Sequence, residues 1–408
     1  MTSHPHGDVQ VERGADYLCM FDVAVVGAGP TGSAAARACA EAGLSVLCIE
    51  EHAAPGFPVQ CAGLLSIKAL EECRVSERSV LNRVQGARIV ASTGAELKFD
   101  AGVTKASVVD RARLDAEMAA AAADAGAEFW PKTTVVGREE GRLMTRGAFG
   151  RRDVEARLYI AADGPRGGMA RMLGMARSPV YLSGIQADVP LDMDTRFVEV
   201  HPAAAPQFFG WVIPTGEGRA RVGLCGMRNV KEDFQKFAGP YMTSCTHLVT
   251  GTIPLGPMPR TYGHRTLFVG DAAGLAKPTS GGGIYTGVRA ARHAASVALS
   301  CCEKDDYSDA ALAGYEQKWQ ADFGRELALG MRLSRLRQEI SAAQTDALIA
   351  KMADPAIIDL IVRYGDMDRP GILARHLLTK PSIIMSLGTI VGPSVCAFLK
   401  ELAIGANR

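Results

Sequence analysis

Residues 21–26 form a short apolar run, FDVAVV, that ends in glycine, and an Ala-rich stretch leads from it to a second run, SVLCIE, over 45–50. This pattern predicts strand, helix, strand. Residues 87–92 and 95–100 read as two strands joined through Thr93 and Gly94, whereas 110–126 has helix-forming composition and a terminal Gly. The runs 132–140, 142–147 and 153–161, separated by Gly and charged turns, predict a small antiparallel meander.

Between 179 and 259, β-branched and aromatic residues alternate with frequent Pro and Gly, which predicts an open antiparallel sheet, assigned to substrate binding. A helical pattern returns after Ile284 and continues through 305–339 with few breakers. The expected organisation is a loose tail (1–16), a discontinuous nucleotide-binding domain (17–80, 106–178 and 260–303), a β-sheet substrate domain (81–105 and 179–259) and a helical carboxyl-terminal region (304–408). The 19 uncharged residues 381–399 approach bilayer-spanning length, but Gly388, Gly392, Pro393 and several hydroxyl residues dilute them. A buried or membrane-surface element is expected there rather than a span.

A chain of 408 residues has room for two or three domains, and 48% hydrophobic with 22% charged residues fits a folded globular protein. The 45 Lys+Arg against 44 Asp+Glu leave a net charge of +1, which gives no global attraction for nucleic acid. Ten scattered cysteines without a C-x-x-C pair point to free thiols in a reducing cytoplasm rather than to a zinc or iron–sulfur site. The polar first 16 residues lack the apolar stretch of a secretory signal. Signatures of P-loop kinases, zinc proteases and serine hydrolases are absent.

Gly27, Gly29 and Gly32, with Pro30 and Thr31, make a G-x-G-x-x-G directly after the first strand, and Glu50 closes the next strand 18 residues beyond Gly32. Gly27 permits the tight turn, Gly29 leaves room for a pyrophosphate, Gly32 lets the helix approach its strand, and Glu50 can accept from the adenosine ribose. A dinucleotide is therefore expected. A second signal follows the apolar run at 267–269: Gly270 and Asp271, then Gly281, Gly282 and Gly283 opening a helix. An Asx-turn would explain Gly270 and Asp271 alone. Paired with the first turn, the segment is similar to the flavoprotein Gly-Asp motif. That likeness implies an Asp271 carboxylate on a ribityl hydroxyl, with the free amides of Gly282, Gly283 and Ile284 at the pyrimidine edge of an isoalloxazine.

Together these residues resemble FAD-binding proteins of the glutathione-reductase-like, p-hydroxybenzoate-hydroxylase type, and within them the geranylgeranyl reductase family, over roughly 17–300. The likeness is carried further by Pro58 to Gly63, by Ala162, Asp163 and Gly164 with Arg171 after them, and by Phe208, Phe209, Trp211, Ile213 and Pro214 followed by Gly223. The last segment is similar to the reductases' Y-x-W-x-F-P motif and subsequent G-x-G. Phe209 stands for Tyr, Ile213 for Phe and Cys225 for the second Gly; Gly167 stands where many relatives have Ser. Trp211, Ile213 and Pro214 also resemble the W-x-W-x-I-P motif of flavin halogenases, which carry Trp at the place of Phe209.

The resemblance implies an α/β fold with a Rossmann-type FAD domain, an antiparallel β-sheet substrate domain and a helical C-terminal region. It implies FAD contacts from Cys61, Ala62, Gly63, Arg111, Val135, Asp163 and Gly164, and prenyl contacts from the Phe208 to Pro214 segment. Cys61 is expected near the flavin, although on sequence alone it reads as well as an inert buried hydrophobe. Tyr285 is a candidate proton donor. The implied activity is hydrogenation of geranylgeranyl chains of archaeal-type diether lipids, by a cytoplasmic protein peripheral to the inner membrane face. Its electron donor would be a ferredoxin, a deazaflavin or a nicotinamide-linked system. A flavin monooxygenase or halogenase, or an electron carrier resembling electron-transfer-flavoprotein quinone oxidoreductases, are the alternatives.

Overall fold

The computed structural model describes residues 19–148, 150–380, 383, 385 and 388–390. The expected tail 1–16 lies outside the described residues, as does most of the uncharged segment 381–399.

The nucleotide-binding unit is built on a sheet in the order Tyr262–Gly263, Thr266–Phe268, Gly150–Ala161, Cys19–Val26, Val46–Ile49, Glu128–Trp130. The neighbours run parallel except for the hairpin at the first edge. Strands buried on both faces need continuous apolar sequence, and Val23, Val25, Leu47, Leu158 and Ile160 are accordingly sealed from solvent. The strand Gly150–Ala161 serves twice. Its first half pairs antiparallel with Arg142–Gly147, which pairs with Thr133–Glu139, and its second half enters the parallel sheet beside Cys19–Val26. The predicted meander is thus the extension of a Rossmann strand.

Helix Pro30–Glu41 lies between Arg111–Asp124 and Ile284–Lys304. Its buried side is Gly32, Ser33, Ala35, Ala36 and Cys39, small residues that let the helix approach the sheet closely. Asp110 starts the second helix by accepting from the amides of Ala112 and Arg113.

A seven-stranded sheet forms the second unit, in the order His247–Leu255, Val180–Pro190, Arg219–Gly226, Phe209–Gly216, Phe197–His201, Gly86–Val90, Glu96–Asp100. All pairs are antiparallel except Phe197–His201 with Gly86–Val90. This is the open, mostly antiparallel sheet, and the early hairpin 86–100 is paired into it. Residues near 80 and 106 do not mark a clean boundary, however. Leu64–Ser66, Ala106–Val109 and Val80–Val84 pair as a three-stranded sheet that joins the two units. Its strands are short, and Val80–Val84 mixes Asn and Arg into an apolar frame, so no clear alternation announced it.

Downstream, helix Asp309–Trp319 passes through a π turn at Gln320–Gly324 into Arg325–Glu339, followed by Ala342–Met352, Pro355–Tyr364 and Pro370–Leu378. Ser308, Ser341 and Asp354 cap three of these helices through the amides of Ala311, Gln344 and Ala356. Ile349 packs with Ala91 and Leu97, so the helical region lies against the outer hairpin of the β-sheet unit.

Candidate active site

One cavity of about 1280 Å³ runs between the units, larger than the roughly 300–1,000 Å³ usual for a small-molecule pocket. It is walled by Gly29, Pro30, Thr31 and Gly32 of the first glycine turn, and by Cys61, Ala62, Gly63, Arg111, Asp271 and Tyr285. Phe208, Phe209, Trp211 and Ile213 also line it, as does an apolar arm of Ile89, Leu97, Val198, Leu348, Ile349 and Ile361. The β-sheet unit and the C-terminal helices therefore share one apolar wall.

The first glycine turn is shaped by close approaches. Gly27 has φ +98°, and a side chain there or at Gly32 would strike backbone oxygen of Ala162 or Gly27, respectively. A methyl at Gly29 would instead meet nothing within 4 Å, and helix Pro30–Glu41 begins beside it with no side-chain cap. Its first amides face the cavity end, the arrangement that binds an anion. Glu50 holds this turn from behind: its Oε2 accepts from Ala28 N at 2.8 Å and its Oε1 from His52 N at 2.9 Å. Oε1 also meets His52 Nδ1 at 2.7 Å, which leaves the second acceptor position for a ribose hydroxyl on Oε2. Glu50 itself does not line the main cavity.

The second turn meets the first at Thr31, since a methyl at Gly270 would lie 2.7 Å from Thr31 Oγ1. Asp271 lies against Gly283, where a methyl would come within 2.5 Å of its Oδ1. Among the described residues nothing donates a hydrogen bond to that carboxylate, and burial pushes its pKa up to about 6 against the pull of Arg111. Gly283 then opens helix Ile284–Lys304 without a side-chain cap. The residues present fit FAD: an uncapped helix start faces open space at the phosphate end, and an orphaned carboxylate waits for a hydroxyl donor.

Cys61 is half-buried on the cavity wall, and its Sγ accepts from Gly63 N at 3.3 Å. Arg111 pairs with Asp115 through two bonds of 2.9 and 2.8 Å. Burial works against the Arg111 charge, and Asp115 and Cys61 outweigh it, raising its pKa. Arg221, which sequence reasoning missed, donates from Nη1 to Ala62 O at 2.8 Å and Val109 O at 3.1 Å. A methyl at Gly63 would lie 2.7 Å from the same Nη1, so the loop carrying Cys61 is moulded onto this guanidinium.

Not every expected residue reaches the cavity. Asp163 uses its carboxylate to accept from Met169 N at 2.9 Å, capping a short helix, while its neighbour Gly164 stays on the wall. Gly167 is required beneath it, because a methyl there would overlap the Asp163 carboxyl group. Val135 packs against the Rossmann core, and Pro214 is buried behind Ile213, so neither lines the main cavity. Phe208 and Phe209 stack at 4.2 Å, and Trp211 Nε1 donates to Gln186 Oε1 at 3.0 Å, which fixes the aromatic wall. Cys225 faces the same cavity, and burial pushes its thiol pKa up to about 12.

Residues 20–237 match the FAD binding domain. Digeranylgeranylglycerophospholipid reductase 2 of Methanopyrus kandleri is 32% identical to this chain, over 84% of the chain and 92% of the relative. The chain belongs to the digeranylgeranylglycerophospholipid reductase family. The matched FAD binding domain includes the first glycine turn, Gly27 to Gly32. The solved geranylgeranyl bacteriochlorophyll reductase-like protein of Thermoplasma acidophilum superposes with a TM-score of 0.81 at 28% identity, covering 91% of this chain and 99% of that one. The p-nitrophenol 4-monooxygenase of Pseudomonas putida, with a TM-score of 0.67 at 17% identity over 84% of this chain and 97% of its own, shares the fold alone. The glutathione-reductase-like, p-hydroxybenzoate-hydroxylase-type architecture expected from the motifs is the observed one.

Proposed function

We propose that this chain is an FAD-dependent reductase that hydrogenates geranylgeranyl chains of archaeal-type diether phospholipids. The observation that carries the proposal is the continuity of the cavity from the Gly29 turn, past Cys61 and Asp271, into the arm between Ile89, Leu97, Leu348 and Ile349. A long hydrocarbon needs such a wall, and an isolated double bond needs its reacting carbons held beside the cofactor.

Bound and reduced, FAD would supply the hydride. The uncapped start of Pro30–Glu41 holds its phosphates, Asp271 accepts from its polyol, and the amides of Gly282, Gly283 and Ile284 complement negative charge on its pyrimidine edge. Phe208, Phe209, Trp211 and Ile213 position the prenyl chain and exclude water from it. Cys61 and Tyr285 are the candidate catalytic groups, with Tyr285 near the start of its helix and 5% exposed. Of the two, Tyr285 is assigned to hold the proton for the second carbon.

No helix among the described residues is long and apolar enough to cross a membrane. Access to the lipid is therefore assigned to peripheral contact at the inner membrane face, with electrons arriving from an external ferredoxin, deazaflavin or nicotinamide-linked donor. Mass spectrometry of small molecules extracted from the purified protein tests the reading. FAD together with a prenyl lipid supports it; a different cofactor contradicts it.

A further inference from the structure

From the last turn of helix Pro355–Tyr364 to the start of Pro370–Leu378 the chain forms a strap along the cavity, residues 362–369, with Val362, Gly365, Asp366, Met367 and Asp368 on the cavity wall. Its polar attachments to the nucleotide-binding and β-sheet units run through side chains. Lys105 Nζ donates to Val362 O at 3.2 Å, and Lys68 Nζ to Asp366 Oδ2 at 2.7 Å. Lys277 Nζ donates to Met367 O at 3.1 Å and to Asp368 Oδ1 at 2.5 Å, and Ser66 Oγ donates to the other oxygen of Asp368. The Lys68 pair is open to water on one side and so worth little. The inner pair is different: the side chain of Asp368 is 0% exposed and that of Lys277 10%.

Lys277 also belongs to the flavin turn. Its carbonyl accepts from Gly281 N at 2.7 Å and its amide donates to Gly282 O at 3.0 Å. A methyl at Gly282 would lie 3.2 Å from Lys277 Cε and 3.6 Å from Nζ. The ammonium group thus sits against the backbone assigned to the pyrimidine edge of the cofactor, and the strap supplies its only carboxylate among the described residues.

We propose that Lys277 and Asp368 form a charge latch coupling the redox state of bound FAD to closure of the strap over the cavity. The inference rests on the FAD site and not on the identity of the lipid. With the strap down, Asp368 neutralises Lys277. With the strap lifted, Lys277 loses both Asp368 and Met367 O, and an unpaired cation faces the loop where reduction, by two electrons and one proton, leaves a negative charge. Parting a buried pair is unfavourable unless another charge replaces the lost partner. The open strap therefore favours the reduced cofactor, and by reciprocity reduction favours opening by the same factor. Substrate is then admitted when hydride is available.

Two measurements on FAD-loaded protein without lipid test the latch. Hydrogen exchange of residues 362–369, followed by mass spectrometry, is expected to be several-fold faster in the reduced than in the oxidised wild-type protein. In a mediated redox titration, Asp368→Asn is expected to favour reduced over oxidised FAD about tenfold, a rise of about 30 mV for a two-electron couple. Lys277→Met is expected to abolish the redox dependence of exchange without raising the potential. Equal exchange in the two redox states of the wild-type protein overturns the latch whatever the variants do, as does an Asp368→Asn potential equal to wild type. Either failure leaves lipid reduction as a separate question, and failure of lipid turnover leaves both readouts intact.

Discussion

Thr31 sits directly beneath Gly270: a methyl at Gly270 would lie 2.7 Å from the Thr31 hydroxyl oxygen. The same threonine would clash with a side chain at Gly287, so helix Pro30–Glu41 packs against the second turn through the missing side chain of Gly270 and against helix Ile284–Lys304 through that of Gly287. This contact brings the two glycine turns proposed to hold FAD onto one support.

Asp271, proposed to accept from the FAD polyol, is expected to make FAD binding pH-dependent. Burial raises its pKa to about 6, so without cofactor the folded chain binds a proton that the unfolded chain, near the ordinary 3.8, has released. This term lowers the stability of the cofactor-free protein as pH rises from about 4 to 6, and the loss is complete above 6. A hydroxyl donated to the carboxylate relieves it, so FAD binding expels the proton below pH 6. Fluorescence titrations are expected to show wild-type affinity falling as pH drops from 7 to 5. Asp271→Asn should bind about ten- to hundredfold more weakly at pH 7, the range of a charge-assisted hydrogen bond, with a flat pH profile.

Arg221 is expected to shape the Cys61 loop from behind. Arg221→Met leaves Ala62 O and Val109 O without their buried donor, a loss of about 1.5–3 kcal/mol by chemical denaturation. Near-ultraviolet and flavin-region circular dichroism should change with it, whereas Arg221→Lys should restore part of the stability and less of the spectrum.

The nucleotide turns were legible because their chemistry is local: Gly27, Gly29, Gly32 and Glu50 lie within one strand–helix–strand unit, and Asp271 follows directly on an apolar strand. Phe208 to Ile213 were legible as a wall for the same reason, with Pro214 alone turning off it. Arg221 and Asp368 were not, since neither neighbours the residues it holds and neither has a repeating pattern. The Met169 contact of Asp163 was not legible, because a carboxylate after a strand can face a ligand or cap the next helix. The arm wall from Leu348 and Ile349 was hidden as well: only contact with Leu97 turns a short amphipathic helix into part of a cavity.

Leu348 offers a test of the arm that leaves the cofactor alone. Half-buried on the cavity wall, it has space in front of it, so Leu348→Trp should narrow the arm without overpacking a filled core. The expected result is at least a tenfold rise in KM for a geranylgeranyl lipid, about 1.4 kcal/mol of lost binding, with FAD affinity unchanged. A short prenyl substrate should be affected less.

Cys61 and Tyr285 separate by kinetics. Tyr285→Phe removes the assigned proton and should lower kcat about a hundredfold at nearly constant KM, within the range of general acid catalysis. Cys61→Ser, next to Arg111, should keep FAD bound yet slow oxidation of the reduced cofactor by lipid about tenfold or more. Anaerobic stopped-flow absorbance reads both.

The central claim is that one cavity holds the FAD and a prenyl chain together. The most direct test mixes pre-reduced holoprotein anaerobically with a geranylgeranyl diether phospholipid, following the flavin absorbance and the lipid mass. The account predicts that the yellow colour returns without oxygen while the lipid gains one pair of hydrogens per double bond reduced. A flavin that stays bleached until air is admitted, with the lipid unchanged, would contradict it.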